Sequence, residues 1–278
     1  MAHPASLPTL APIAGFCTLL ELSVGTALAA YSIDIIGRVG RGYVGTTALI
    51  CAAVGGIALL IGANVPTDIT LLGGAIGADA MASLLHWTIG FIGALLAFAF
   101  FCAVGTDAAR RVVGAVTLGV GGVCIAYAAI AFGPAVAGAP AALAVFVPAT
   151  LVTGAALAGM LLGHWYLVAP SLSFRPLRQT VVMVLAAVGV QCGVVVAVLL
   201  ASSATARDQL VRGYALPFWL LVVGAGIVFT VAVTLLTGYF ARIRANQPAT
   251  AMLYVLIISV VMGVVPGHLL FFVTGTPV

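Results

Sequence analysis

Lysine is absent from this 278-residue chain, glutamate occurs once, and charged residues make up only 6% of the positions. A soluble chain of this length needs far more charge to cover its surface, so the composition excludes an ordinary soluble protein. Hydrophobic residues make up 64% of the chain, and the mean hydropathy is +1.30. The lipid bilayer is therefore expected to be the solvent for most of the molecule.

Several kinds of site find no support in the sequence. The five cysteines all lie in apolar segments, form no CxxC pair and stand at metal-ligand spacing from no histidine, so we expect no metal site. The ten basic residues, all arginine, are dispersed in short loops without a basic stripe, which argues against a nucleic-acid partner. The GxSxG and HExxH motifs of hydrolases are missing. A stand-alone enzyme of these classes is not indicated.

Eight apolar runs reach the length of about 20 residues that a helix needs to cross a bilayer. The predicted spans are residues 10–33, 43–63, 80–104, 112–132, 142–167, 180–201, 214–240 and 249–274. Turn residues or charged residues separate these runs. The sequence thus predicts an all-α integral membrane protein that forms one polytopic domain over residues 1–278.

The arginines predict the orientation of the spans. Eight arginines follow odd-numbered spans: Arg38, Arg41, Arg110, Arg111, Arg175, Arg178, Arg242 and Arg244. Only Arg207 and Arg212 follow an even-numbered span. Because basic residues concentrate on the cytoplasmic side, both termini are expected outside. The bias towards Ala, Gly, Val and Arg is typical of a high-GC bacterial genome, so we expect a bacterial cytoplasmic membrane.

A weak internal similarity relates the two halves of the chain. Trp87 precedes Arg110 by the same number of positions as Trp219 precedes Arg242. Spans 1 and 5 can likewise be aligned. A duplication of four helices would give two parallel repeats, over residues 10–133 and 142–274.

Two glycine pairs have the spacing of close helix packing in membranes, namely Gly159/Gly163 and Gly189/Gly193. Small residues four positions apart lie on one face and let two backbones approach each other. Both pairs are therefore interpreted as structural, and neither is part of a nucleotide-binding loop.

Glu21 is the first candidate for chemistry, near the middle of span 1. A charged group at the bilayer centre costs about 2.5–3.5 kcal/mol on insertion scales, so Glu21 is expected to face the bundle interior. Thr18 and Gly25 share its helical face. Glu21 is interpreted as a proton relay or a hydrogen bond to a ligand. The alternative is a protonated glutamate bonded to a neighbouring helix.

A polar stripe begins span 3, where Asp79, Ser83 and His86 recur on one helical face, followed by Trp87. An acid that leads to a histidine in this way can carry protons between water and a site just below the outer surface. The alternative is that Asp79 caps the helix and that His86 and Trp87 belong to the interfacial aromatic belt. His268 in span 8 is expected at a similar depth, after a proline that should kink or open the helix.

His164 marks the cytoplasmic exit of span 5, where Trp165 and Tyr166 are typical of the headgroup level. Arg175 and Arg178 follow in the next loop. These three residues are candidates for contact with a cytoplasmic partner or, at His164, for proton entry. The alternative is that they only mark where the helix leaves the lipid.

The polar residues allow three functions. The first is a membrane subunit of a bacterial redox or respiratory complex, which binds quinone near the outer face and relays protons. In this interpretation the chain is a quinone-reactive or non-catalytic subunit of an oxidoreductase, and the other subunits are its partners. The second is a secondary transporter with Glu21 as the coupling carboxylate. The third is a single-haem b protein or a structural subunit without a site; the scarcity of histidines disfavours a haem pair.

In helix number and orientation, the whole chain resembles the quinone-anchoring membrane subunits of bacterial molybdenum and hydrogenase complexes. Those subunits are polytopic chains that can be described as paired four-helix bundles with outward termini. The resemblance implies quinone as a ligand and a peripheral redox subunit as a partner. It rests on no shared motif, so no residue role is carried over from it.

The predicted orientation can be measured with an impermeant thiol reagent on intact cells. A Thr205→Cys variant should be labelled, because residue 205 is expected outside, and a Gln247→Cys variant should be labelled only after permeabilisation. The native chain serves as the control. The reverse pattern would invert the orientation.

Overall fold

The computed structural model describes residues 7–37, 39–67, 70–72, 74–169 and 172–278, and Arg38 lies outside these ranges. Within them, eight helices are long and apolar enough to cross a membrane, as in a multi-pass membrane protein. The six spanning helices of the first two thirds are α1 (Leu7–Gly37), α2 (Arg41–Gly62), α3 (Ala78–Val104), α4 (Asp107–Phe132), α5 (Ala139–Val168) and α6 (Arg175–Ala201).

The remaining elements include two π-helical segments. In chain order they are α7 (Ala204–Asp208), a π-helical turn (Gln209–Gly213), a π-helical segment (Pro217–Phe229) that continues into α8 (Thr230–Arg242), and α9 (Asn246–Thr274). A two-stranded antiparallel hairpin, β1 (Thr70–Leu71) and β2 (Gly74–Ala75), precedes α3. A short 3-10 turn (Gly133–Ala135) follows α4.

The predicted number of spans is confirmed, and most helices extend a few residues beyond the apolar runs. For example, α6 begins at Arg175 instead of residue 180. A helix can continue beyond the apolar core of the bilayer, because its backbone hydrogen bonds form within the helix and persist in the polar interface. Pro176 lies in the first turn of α6, where the missing amide hydrogen costs little. The helix α9 runs without a break through Pro266.

The helices contact one another as two rings of four. In the first ring, α1, α2, α3 and α4 each contact the next, and α4 contacts α1. In the second, α5, α6, α8 and α9 do the same, and α9 contacts α5. An extensive α1–α5 contact joins the rings. These rings correspond to the predicted repeat halves, although the duplication itself stays a prediction.

The central position of α1 and α5 is visible in their burial. In the most apolar stretch of α1, 78% of the residues are buried, and in α5 72%, whereas the other six spans have 28–56%. Side chains of the peripheral helices therefore face outward over much of their surface, where lipid would contact them. Polar groups in the buried stretches of the two central helices therefore need partners from the protein itself.

Glycines set the distance between α1 and α5. A Cβ atom on Gly25 would lie 1.9 Å from the carbonyl oxygen of Thr150, and one on Gly154 would lie 2.0 Å from the carbonyl carbon of Gly25. No side chain fits there, so the two backbones touch directly. A second such crossing, between Gly226 and Gly263, lies within the second ring.

One end of the bundle carries most of the arginines, and we call it the arginine-rich end. Its helix ends are tied together across both rings: Arg41 at the start of α2 binds Asp107 at the start of α4 at 2.7 Å, and Tyr43 packs edge-on against Trp165 of α5. The side of the membrane to which this end belongs stays a prediction.

The glycine crossing leads to a stability test. Gly25→Ala should lower the free energy of unfolding by about 1–3 kcal/mol or more, because the methyl group overpacks the α1–α5 contact. Gly189→Ala is the matched control, since nothing lies within 4 Å of a Cβ at that position. Thermal unfolding in detergent measures both variants. Equal stability of the two would show that the α1–α5 crossing tolerates a side chain.

Candidate functional site

The candidate site begins with Glu21, which lies in the interior of the bundle and is 1% exposed. It belongs to α1, the most buried helix, and the short side chain of Thr18 lies one turn earlier on the same face. Because α1 is surrounded by other helices, a carboxyl group at this position has no access to water. Its polar partners must come from the protein.

His268 of α9 supplies that partner. Its Nε2 atom lies 3.0 Å from Oε1 of Glu21, and its Nδ1 atom lies 3.1 Å from Oγ1 of Thr18. The ring is 1% exposed and packs edge-on against Phe146 of α5, with 5.8 Å between the ring centroids. Both nitrogen atoms of the imidazole are therefore held by α1, and its ring packs against α5.

This geometry accommodates different proton counts. With one proton on Glu21, the carboxyl donates to Nε2 and Nδ1–H donates to Thr18; moving that proton to Nε2 gives an ion pair with the same contacts. After loss of one proton, Nε2–H donates to the carboxylate, and the Thr18 hydroxyl donates to Nδ1. A hydroxyl can both donate and accept, so every hydrogen bond survives the change. The site can thus hold either proton count with the same contacts between its heavy atoms.

The second carboxyl oxygen of Glu21 is left over. Oε2 is buried and has no hydrogen-bond partner among the residues that the structure describes. A buried unpaired oxygen typically costs about 1–3 kcal/mol. Such a cost is tolerated more readily at a site where a proton or a ligand arrives than in a purely structural contact.

Two voids lie near this site. A cavity of about 10 Å³ adjoins His268 and is lined by residues of α5, α6 and α9. A larger apolar groove of about 230 Å³ lies between α1, α4 and α5. Val24 of α1 and Val147 of α5 line this groove, and Val147 is 41% exposed on the outer surface of the bundle. The groove therefore opens towards the lipid.

The predicted stripe on α3 is separate from this buried site. Asp79 and His86 are exposed and Ser83 is half-buried. The Nδ1 atom of His86 lies 2.7 Å from the carbonyl oxygen of Ala82 on its own helix, whereas the partners of His268 are on α1. Trp87 is 40% exposed and stacks on Tyr127. The role of these residues in proton transfer stays a prediction.

The three interface candidates lie at the arginine-rich end. His164, Arg175 and Arg178 are all exposed there. Trp165, beside His164, is instead partly buried against Tyr43. The exposed side chains are accessible to a partner or to water, and their contact with a partner stays a prediction.

One polar cluster escaped the reasoning from sequence. Arg110 of α4 forms a buried ion pair with Asp34 of α1, with the two side chains 8% and 6% exposed. Asp107 adds a longer contact to Arg110 and a hydrogen-bonded one to Arg41. From the sequence alone, these arginines indicate only the orientation of the spans. The available signal was Asp34, an acid at the end of an apolar run and close to two arginines.

Within the described ranges, no three or more His, Cys, Asp or Glu side chains are grouped so that they could hold a metal ion. Comparisons with protein-family models, with curated proteins and with solved structures found no match. The candidate site therefore rests on the geometry of this chain alone.

The Glu21–His268 contact should behave as one energetic unit. His268→Leu should lower the free energy of unfolding by about 3–5 kcal/mol, because it leaves a buried carboxyl group without its partner. The double variant Glu21→Leu/His268→Leu should recover at least half of that loss. Unfolding in mixed detergent micelles provides the measurement. If the loss in the double variant equals the sum of the losses in Glu21→Leu and His268→Leu, the pair is not coupled.

Proposed function

We propose that this chain is a membrane subunit of a bacterial redox complex, and that Glu21, Thr18 and His268 exchange protons with a membrane quinol. The observation that carries the proposal is a buried acid–histidine pair, together with a groove that opens towards lipid and begins one helical turn from Glu21 on α1. In this proposal the chain lies in the cytoplasmic membrane with both termini outside. Other subunits of the complex are its partners.

The groove has the character of a site for a lipid-soluble ligand. Its lining is almost entirely apolar, and Thr150 is its single polar side chain. A quinone is an apolar ring with two polar oxygens on an isoprenoid tail, and it reaches its site from within the bilayer. Pockets for such molecules are mostly apolar with few polar groups.

On two helices, the residues that line the groove are close in sequence to the residues of the acid–histidine site. On α1, Val24 follows Glu21 by three residues, which places it about 4.5 Å further along the helix axis on the same side. On α5, Val147 follows Phe146, whose ring contacts His268. A headgroup at this end of the groove would lie about one helical turn from the backbone of Glu21.

The proposed chemistry is the oxidation of a quinol, which releases two protons and two electrons. The Glu21–His268 pair accepts one proton at a time, as its two protonation states allow, and passes it on before the second. The electrons leave to a redox-active partner subunit, which the proposal requires. The likeness in helix number to quinone-anchoring subunits and the two rings of four helices support this assignment.

A second candidate function is proton-coupled transport. The observation in its favour is that the only glutamate of the chain is buried on a central helix with one oxygen unpaired. Against it, the cavity beside the pair holds only about 10 Å³, which is too small for most solutes. A haem-binding role would require His268 to release Glu21 or Thr18, because both of its ring nitrogens are engaged.

The test is quinol oxidation by the complex purified with its native partners, assayed with a short-chain quinol analogue. Glu21→Gln should lower the rate by about 100-fold, because the variant loses a proton acceptor while it keeps a similar shape. Asp208→Asn, an exposed position at the opposite end from most arginines, is the control and should leave the rate unchanged.

Two outcomes would contradict the proposal. One is an unchanged rate of quinol oxidation in Glu21→Gln, and the other is purification of the chain as a lone monomer under mild conditions. Loss of proton-coupled uptake in the same variant, with quinol oxidation intact, would favour the transporter instead.

A further inference from the structure

Gln191 of α6 is a buried amide whose oxygen has nothing to bind. The side chain is 7% exposed, and its Oε1 atom has no hydrogen-bond partner in the part of the chain that the structure describes. Buried polar groups almost always have a partner, which is often an ordered water. Gln191 lines the small cavity beside His268, so its amide has a space next to it.

The cavity has the size of a site for one water. Its volume of about 10 Å³ is the space that the centre of one water molecule explores. Besides Gln191, its walls include His268, Ala144, Pro148 and Val278. An apolar cavity of this size would stay empty, but a water is retained where it finds at least two polar partners.

A second acceptor comes from the backbone of α5. Pro148 lies inside this helix and has no amide hydrogen. The carbonyl oxygen of Ala144, four residues earlier, therefore lacks its usual helical donor. Both Ala144 and Pro148 line the cavity. The residues that carry these two acceptors thus both line a space for one water, a molecule with two O–H groups.

We propose that this cavity is a binding site for one ordered water, held by Oε1 of Gln191 and the carbonyl oxygen of Ala144. Both hydrogens of the water are used by these acceptors, so its oxygen lone pairs are directed to the remaining walls, which include His268. Gln191 is then a positioning residue. It adds a polar group of α6 to those of Glu21 and Thr18 on α1 and His268 on α9.

The role of this water in proton transfer rests on the proposed function, whereas its presence does not. When a ring nitrogen of His268 exchanges its α1 partner for the water, the imidazolium gives one proton to the water. For the water to be regenerated, one of its own protons must pass to a second water molecule outside the cavity, which this role requires.

The water itself is tested by nuclear magnetic resonance on histidine-labelled protein in lipid nanodiscs. A cross-peak between water and the ring hydrogens of His268, assigned with His268→Asn, is expected in the native chain and lost in Gln191→Leu. Gln179→Leu is the matched control, because Gln179 is on the same helix and also has a buried oxygen without a described partner. Its cross-peak should be unchanged.

A second variant guards against misfolding of the first. Pro148→Ala restores the amide hydrogen that the Ala144 carbonyl lacks, so it should weaken the cross-peak while α5 stays folded. A native chain without the cross-peak, a Gln191→Leu variant that keeps it, or an increased unfolding temperature in Gln191→Leu would overturn the site. The last result would mean that the amide is dry.

The proton role is read out separately. Gln191→Leu should slow quinol oxidation about tenfold, and Gln179→Leu should not. If the cross-peak is lost but the rate is unchanged, the water stands and its role in proton transfer is overturned. If Glu21→Gln has no effect on the rate, the proposed function fails, and the cross-peak still decides whether the water is bound.

Discussion

A carboxyl group enclosed by apolar helices needs a polar partner, and much of this structure follows from how Glu21 obtains one. Its partner is His268, 247 residues away in sequence, so the contact holds the last helix against the first. Thr18 occupies the other ring nitrogen, and Phe146 supports the ring from α5. Three helices from both rings are thereby fixed around one imidazole.

Two other constraints keep this site in place. Gly25 and Gly154 let α1 and α5 touch at the backbone, which encloses the carboxyl group and its histidine. At the arginine-rich end, the buried ion pair between Asp34 and Arg110 connects α1 to α4. Helix α1 is thus held by the Asp34–Arg110 ion pair near one end, by the glycine contact with α5 and by the Glu21–His268 site.

The limits of the sequence are visible in the glycine pairs. Gly159 and Gly163 do face neighbouring helices, where a Cβ would come within 2.6 Å and 2.8 Å of other side chains. Gly189 and Gly193 have the same spacing but face open space, with nothing within 4 Å. Spacing tells which residues share a helix face, but not what lies opposite that face.

The sequence by itself determined the eight spans and that Glu21 would be buried, because both follow from the cost of placing polar groups in lipid. Only the tertiary structure decided that His268 and not His86 is brought to a buried acid, and that Gln191 adjoins that histidine. The physical reason is that apolar helices interact through shape, and shape depends on all residues of the two facing surfaces. Hydropathy and helical periodicity describe each helix alone and carry no information about which helices lie next to it.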